Sequence, residues 1–204
     1  MGLQDPLWFA RLAAVPGISY ATPAELDVTK LRRRNASPEI SRYPDLPPTL
    51  WWGDTTESPA SAHVLADSRK ATTARVLRNL AEVLELPGEP ADYHFAIQGV
   101  VSQMRSRGGE GPHVFAELER LCWLDLQLIQ ACPEVVIYDH PEDGQQYAHV
   151  TAFKTLLDLY LTEGALGDAA RVLPIAERFR QGDTPATEKA RTRMAALAAE
   201  DSTR

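Results

Sequence analysis

The segment 152–178 constrains the fold more than any other part of this 204-residue chain. Its apolar residues recur at helical spacing on both sides of Gly164, which stands where a first helix would end. The first stripe contains Phe153, Leu156, Leu157, Tyr160 and Leu161, and the second contains Ala169, Val172, Leu173 and Ala176. Asp168 is a candidate cap for the second helix. Because neither helix can bury its apolar face alone, the segment predicts an antiparallel helical hairpin that packs on further helices.

The same positions resemble a unit of the tetratricopeptide repeat family. The residues that fill the family's pattern are Phe153, Leu156, Tyr160, Gly164, Ala169, Leu173 and Ala176. The chain departs from the pattern at Leu157, where a small residue is usual, and at Pro174, which lies inside the second helix. The resemblance implies a helical-repeat scaffold that binds another protein. A helical bundle without true repeats is an equal alternative, since a second apolar stripe over 115–128 indicates only another amphipathic helix.

Proline and glycine breaks divide the chain into an irregular, proline-rich N-terminal arm over 1–60 and a helical domain over 61–204. Helices are predicted over Ala60–Leu86, Pro90–Arg107, Pro112–Ala131, Gln145–Glu163, Gly167–Arg180 and Thr184–Glu200. The arm is predicted to hold short helical pieces over Pro6–Ala14 and Pro23–Arg34, and an extended path over Tyr43–Gly53. The apolar run Val135–Tyr138 favours β structure and is interpreted as a buried linker, with one short strand as the alternative. Six helices with short turns predict an all-α fold of antiparallel hairpins or a bundle.

Composition and charge exclude some classes of protein. The net charge of −7 disfavours a dedicated nucleic-acid binder. No apolar run could span a bilayer, and Asp5, Pro6 and Arg11 interrupt the N-terminus, so we expect no membrane association and a cytoplasmic location. The preference for arginine over lysine is typical of a GC-rich genome and suggests a bacterial source. Cys122 and Cys132 are predicted to be buried free thiols, too far apart on one helix for a disulfide.

Two groups of residues in the arm are candidates for contact with a partner. Trp51 and Trp52 follow the proline-rich run and are predicted either to anchor the arm on the bundle or to form an aromatic platform for a partner. Arg32, Arg33 and Arg34 form the one concentrated basic patch. The basic patch is also compatible with an ordinary solvated face.

A nucleic-acid function is the first alternative. The run Leu12–Ser19 resembles a helix-hairpin-helix element, in which a hairpin such as Val15–Ile18 offers backbone amides to a DNA phosphate. Ser19 replaces the second glycine of that pattern, and Pro23 intrudes on its second helix. With Arg32–Arg34 nearby, the resemblance implies phosphate binding that weakens with salt.

A metal-dependent enzyme is the second alternative. His140 and His149 flank an acidic turn of Asp139, Glu142 and Asp143, and these residue types suit zinc. Their spacing matches no established signature, and acidic residues are usual in a turn between helices. No catalytic motif is present in the sequence, so we predict no cofactor. The function predicted first is a non-enzymatic scaffold or regulatory module that binds another protein or a second copy of itself.

Overall fold

The computed structural model describes residues 11–31, 38–41, 49–52, 57–63, 70–142 and 144–201. Within these ranges the chain forms six α-helices and two small antiparallel sheets, which confirms the predicted all-α class. The helices are α1 (Thr73–Glu85), α2 (Pro90–Arg105), α3 (Pro112–Ala131), α4 (Thr151–Glu163), α5 (Leu166–Arg178) and α6 (Pro185–Asp201). The strands are β1 (Pro38–Ser41), β2 (Thr49–Trp52), β3 (Ile137–His140) and β4 (Gly144–Tyr147). None of these helices is long and apolar enough to cross a membrane.

Several helices begin where the local sequence supplies a cap. At the start of α2, Glu89 and Asp92 form a reciprocal capping box. At the start of α6, the Thr184 hydroxyl accepts a hydrogen bond from the Thr187 backbone N–H at 3.4 Å, and Pro185 occupies the first helical position. The predicted start of the last helix is therefore confirmed.

The hydrophobic core lies where α2, α3 and α4 meet. Its fully buried side chains include Tyr93, Ile97, Val100 and Met104 from α2, Leu121, Leu126 and Ile129 from α3, and Leu156 and Leu157 from α4. Helix α1 packs on α2, and α5 and α6 pack on α4. Leu12 and Val15, from the predicted arm, belong to the same buried cluster. The N-terminal segment therefore forms one wall of the molecule beside α1.

Helices α4 and α5 form the predicted pair around Gly164. This glycine caps α4 in the left-handed region, with φ of +73°, as its position predicted. Asp168 does not cap α5; its carboxylate instead accepts a hydrogen bond from Arg171 at 3.2 Å, because α5 already begins at Leu166. Pro174 lies inside α5. The likeness to a tetratricopeptide unit stays a prediction.

The segment before α4 differs from the prediction. The predicted helix from Gln145 is wrong at its start: residues 145–147 belong to strand β4, and α4 starts only at Thr151. Strand β4 pairs with β3 in a register that places Tyr138 opposite Gln146. In the run Val135–Tyr138, the alternative of a short strand is confirmed from Ile137 onward, where β3 begins, and the linker interpretation is wrong there. Gly144, with φ of +69°, closes the turn, and the strand-to-strand hydrogen bonds replace those of the expected helix.

Predicted helices near the N-terminus are shorter than expected. Helix α1 begins at Thr73, not at Ala60, and residues 57–63 are turns. Of the two helical pieces predicted in the arm, the described residues form only 3₁₀ turns at Leu12–Ala14 and Val28–Lys30. Each is closed by two local backbone hydrogen bonds. A single turn fixes too few residues to propagate a helix without further packing.

Candidate binding groove

A groove of about 620 Å³ lies between residues 20–26 and the helices α1 and α3. Its floor is apolar: Leu80 and Leu84 of α1 are buried, and Leu77 is half-buried. Pro23 and Leu26 form the opposite wall. The volume falls within the range of ligand pockets, about 300–1,000 Å³. The groove is therefore large enough to receive several side chains of a ligand or partner.

The sequence of α1 explains why the groove is open. Ala74, Leu77, Arg78 and Ala81 lie on successive turns of one face of the helix. The two alanines are small, so they leave space on either side of Leu77. Val76, from the adjoining face, is buried in the core. One helix thus packs on the core with one face and lines the groove with another.

Glu85 holds the N-terminal wall in place. Its side chain is only 1% exposed, and its Oε2 accepts a hydrogen bond from Arg11 Nη1 at 2.9 Å. The hydroxyl of Thr22 donates to the other carboxylate oxygen. A buried carboxylate is stable only when such donors replace its water. These two bonds attach the segment that carries Tyr20 to the end of α1.

Tyr20 lies beside the groove and buries an unpaired hydroxyl. Its side chain lines the groove, and its hydroxyl is buried with no hydrogen-bond partner. Burial, together with the negative charge of Glu85, raises the pKa of Tyr20 to about 12. The phenol therefore stays protonated at neutral pH and has an O–H group to donate. The hydroxyl itself is closed off from solvent, and therefore from the open groove.

Charged side chains surround the rim of the groove. Arg78 donates through Nε to Glu82 at 3.3 Å, and Arg120 donates through Nε and Nη2 to one oxygen of Glu117 at 2.9 and 2.7 Å. Glu25 is exposed at the same rim. Exposed ion pairs of this kind contribute little to stability, about 0–1 kcal/mol each. The Nη groups of Arg78 are engaged by no described residue.

The lining of the groove combines an apolar floor with a charged rim. The rim includes the carboxylates of Glu25 and Glu117 and the guanidinium groups of Arg78 and Arg120.

A second polar cluster lies in the core between α2 and α3. His94 and Asp125 are 0% and 1% exposed, and His94 Nδ1 lies 2.6 Å from Asp125 Oδ1. Gln98 Oε1 accepts from the Thr151 backbone N–H at 2.9 Å, so its Nε2, 2.7 Å from His94 Nε2, must donate. His94 Nε2 is then an acceptor, and its Nδ1 carries the hydrogen that it donates to Asp125.

This His94 cluster joins three helices and does not contact the groove. The second carboxylate oxygen of Asp125 has no partner, and burial raises the pKa of Asp125 against the opposing effect of His94. Cys122, one turn away, is a buried free thiol whose pKa is raised by burial and then by Asp125. A thiol in such surroundings is not a nucleophile. The cluster therefore orients helices.

Both cysteines are buried free thiols, as the sequence predicted.

The structure describes only the backbone of the two tryptophans that were predicted to contact a partner. Trp51 and Trp52 lie on β2, paired with Glu39 and Pro38, which confirms an extended path there. The side chains of both tryptophans lie outside the described part of the structure, and so do Arg32–Arg34. Whether the two tryptophans anchor the arm on the bundle or form an aromatic platform for a partner therefore stays a prediction.

The local structure around the predicted hairpin departs from a helix-hairpin-helix element. Gly17 has a φ of +86°, which fits a tight turn. The second helix of the element is absent from the described residues, because Val28–Lys30 is only a 3₁₀ turn. Association with nucleic acid stays a prediction without this geometric support.

The two histidines proposed as metal ligands are both exposed. His140 Nδ1 accepts a hydrogen bond from the Glu142 backbone N–H at 3.3 Å, a contact local to the turn of the β3–β4 sheet. Among the described residues, no three His, Cys, Asp or Glu side chains gather as metal ligands would. Asp143 lies outside the described part. His149 lies beyond β4, in the segment that leads to α4.

The sequence interpretation did not identify the groove. Its key residues, Tyr20, Arg78 and Arg120, come from three distant parts of the chain. The one local signal was the pair of small residues Ala74 and Ala81 on the same face as Leu77. No family model, no curated protein and no solved structure matches the chain. Its function is therefore inferred from its own residues and geometry.

Proposed function

We propose that this protein is a non-enzymatic helical scaffold or regulatory module that binds another protein, and that the groove beside α1 receives a segment of that partner. The observation that carries the proposal is the open groove of about 620 Å³, with its apolar floor and the charged side chains at its rim. Apolar floors with a few convergent polar groups are typical of binding sites.

Apolar contacts supply most of the affinity. Each leucine-sized side chain that the partner buries on Leu77, Leu80 and Leu84 contributes about 1.5–3 kcal/mol. Part of this gain is offset by the loss of freedom on association. Arg78, whose side chain is 67% exposed, pairs at the rim with a carboxylate of the partner and adds specificity more than affinity.

Site-specific photo-crosslinking in the native cell tests the proposal. A benzoylphenylalanine at Ala74, which is exposed and lines the groove, should crosslink to a discrete partner protein. The same probe at Ala195, exposed on α6 and outside the groove, serves as the matched control. Adding Leu77→Lys, which puts a charge on the half-buried floor, should abolish the product at Ala74 while the protein stays folded.

Two results would contradict a groove-based function. One is the same crosslinking pattern from Ala74 and Ala195. The other is a product at Ala74 that persists when Leu77→Lys is present. The melting temperature of each variant is measured in parallel, so that loss of folding is not mistaken for loss of binding.

A further inference from the structure

We infer that Gln98 decides which member of the buried His94–Asp125 pair takes up a proton, and that it couples this choice to the start of α4. With the Gln98 amide in its observed orientation, the proton goes to Asp125 and His94 stays neutral. The opposite orientation would allow a charged His94, but it would leave the first N–H group of α4 without an acceptor. Three observations carry the inference: the bond that fixes the amide, the donor that faces the imidazole, and the free oxygen of Asp125.

The N-terminus of α4 fixes the orientation of the Gln98 amide. Val150, the N-cap residue of α4, makes no side-chain cap, and its own N–H donates to Gln181 Oε1 at 3.2 Å. The first N–H of the helix, from Thr151, donates to Gln98 Oε1 at 2.9 Å. N–H groups at a helix start have no acceptor within the helix. Because an N–H group cannot accept a hydrogen bond, the Gln98 atom that meets it must be the oxygen.

This orientation of the amide prevents a second proton on His94. Gln98 Nε2, which is a donor only, lies 2.7 Å from His94 Nε2. A proton on His94 Nε2 would set two donors against each other at this distance. The imidazole is 0% exposed, so bulk water cannot supply the missing acceptor. The ring is therefore held neutral, with its hydrogen on Nδ1.

Asp125 has a free position for a proton. Its Oδ1 accepts from His94 Nδ1 at 2.6 Å, whereas its Oδ2 is buried and has no partner. An ionised carboxylate in this place keeps a buried oxygen without a donor, which is unfavourable. Burial accordingly raises the pKa of Asp125. A proton on Oδ2 neutralises the carboxyl group and leaves its bond to His94 intact.

His94 is the ionisable group that opposes the raised pKa of Asp125. The start of α4 meets the cluster with the uncharged N–H of Thr151. Cys122 of α3 is protonated at neutral pH, because burial raises the pKa of its thiol. Charged groups on the neighbouring elements act on residues outside the pair: Arg105 on Cys122, Glu85 and Asp92 on Tyr93, and Glu134 on Cys132.

The two orientations of the amide form a switch. Turned over, Gln98 Oε1 would accept from a charged His94, and Nε2 would face the N–H of Thr151. Each orientation therefore satisfies one of these two donors and excludes the other. By thermodynamic linkage, a change at the start of α4 alters how tightly His94 binds a proton, and a proton on His94 loosens the start of α4.

Two substitutions in the full chain test the switch. Gln98→Glu supplies one carboxylate oxygen to His94 Nε2–H and the other to the Thr151 N–H, so it removes the choice between them. Thr151→Pro removes the N–H that fixes the amide, at a first helical position where proline is tolerated. Thr151→Ala keeps that N–H and is its control. Ser102→Glu places the same new charge at an exposed position of α2 and is the control for Gln98→Glu.

Nuclear magnetic resonance follows both buried groups in each protein. The nitrogen-15 shifts of the His94 ring show whether Nε2 carries a proton, and the carbon-13 shift of the Asp125 carboxyl group shows whether that group is ionised. Hydrogen exchange of the Thr151 amide reports the bond to Gln98. The pH is lowered from mildly alkaline values to the onset of acid unfolding, which circular dichroism detects.

In the wild type we expect Asp125 to be protonated at the acidic end of this range while His94 Nε2 stays unprotonated and the Thr151 amide stays protected. His94 in Gln98→Glu should bind a proton at least about tenfold more tightly than in the wild type, because a carboxylate at hydrogen-bond distance favours the charged imidazole about 10- to 1,000-fold. Thr151→Pro should strengthen proton binding by His94 about tenfold, because the turned amide no longer loses a hydrogen bond. Both control variants should match the wild type.

Three results would overturn the inference. The first is a wild-type His94 that takes up a proton before Asp125 does, and the second is an Asp125 that stays ionised down to acid unfolding. The third is a Gln98→Glu protein in which His94 binds a proton no more tightly than in the wild type. Should Thr151→Pro fail to fold, Gln98→Glu and its control Ser102→Glu decide the outcome.

Discussion

Replacing Asp125 provides a sharp test of how α2 and α3 are held together. Asp125→Ala removes the acceptor of the His94 Nδ1–H group, which is 0% exposed and has no access to water. A buried donor left without a partner costs about 1–3 kcal/mol, and a hydrogen bond to a charged acceptor contributes about 1.5–3 kcal/mol. We expect a loss of about 3 kcal/mol in the free energy of unfolding. For a chain of this size, that loss lowers Tm by about 6–12 °C.

Asp125→Asn is the matched control for this substitution. Asparagine keeps an oxygen for the His94 Nδ1–H group and removes a buried charge whose second oxygen has no partner. We expect the free energy of unfolding of Asp125→Asn to lie within about 1 kcal/mol of the wild-type value at pH 7. Urea unfolding followed by circular dichroism measures both variants. Equal destabilisation by alanine and asparagine would refute the view that Asp125 acts through its hydrogen bond to His94.

The difference in stability between the wild type and Asp125→Asn should depend on pH. Burial raises the pKa of Asp125 in the folded protein above its value in the unfolded chain, so the folded state binds this proton more tightly. Its contribution to stability is therefore fully present below about pH 3.9 and is lost as the pH rises through the folded pKa. The free energy of unfolding of wild type minus that of Asp125→Asn should fall as the pH rises above about 4. A difference that rises with pH would contradict this sign.

Three further outcomes are expected. Tyr93→Phe should lower the free energy of unfolding in urea by about 1 kcal/mol, because it loses the hydrogen bond that Tyr93 donates to the Leu86 carbonyl. Tyr20→Phe should leave the free energy of unfolding unchanged, because the Tyr20 hydroxyl has no hydrogen-bond partner to lose. Gly164→Ala should cost about 1 kcal/mol because its φ is +73°, whereas Gly167→Ala, with open space around it, should be neutral or stabilising. Both thiols should react with a thiol reagent only at the rate of unfolding; fast labelling of the native protein would contradict their burial.

Features that depend on local chemistry were predicted well. The observed bounds of α3, Pro112–Ala131, agree with the prediction at both ends. The start of α2 at Pro90 and the end of α4 at Gly164 also agree. Proline at a first helical position and glycine at a left-handed cap act through a few bonds within one turn. Nothing beyond the neighbouring residues is needed to recognise them.

Errors arose where a pairing partner, and not a residue's own propensity, decides the structure. Gln145 and Tyr147 are tolerated in a helix, yet they form β4 because Ile137–His140 offers a strand to pair with. Asp168 has the chemistry of a cap but pairs with Arg171, because α5 starts before it. The groove shows the same limit, since Tyr20, Leu77 and Arg120 contribute to it from three separate segments.

The sequence by itself determined that the chain is helical, where most helices begin and end, and that its two cysteines are buried and free. These properties follow from side-chain periodicity and capping, which act within a few residues. Only the tertiary structure decided that Tyr20 lies over α1 with its hydroxyl unpaired, and that His94 meets Asp125. Both depend on how segments far apart in the chain pack, because burial and hydrogen-bond partners are set by neighbours in space rather than in sequence.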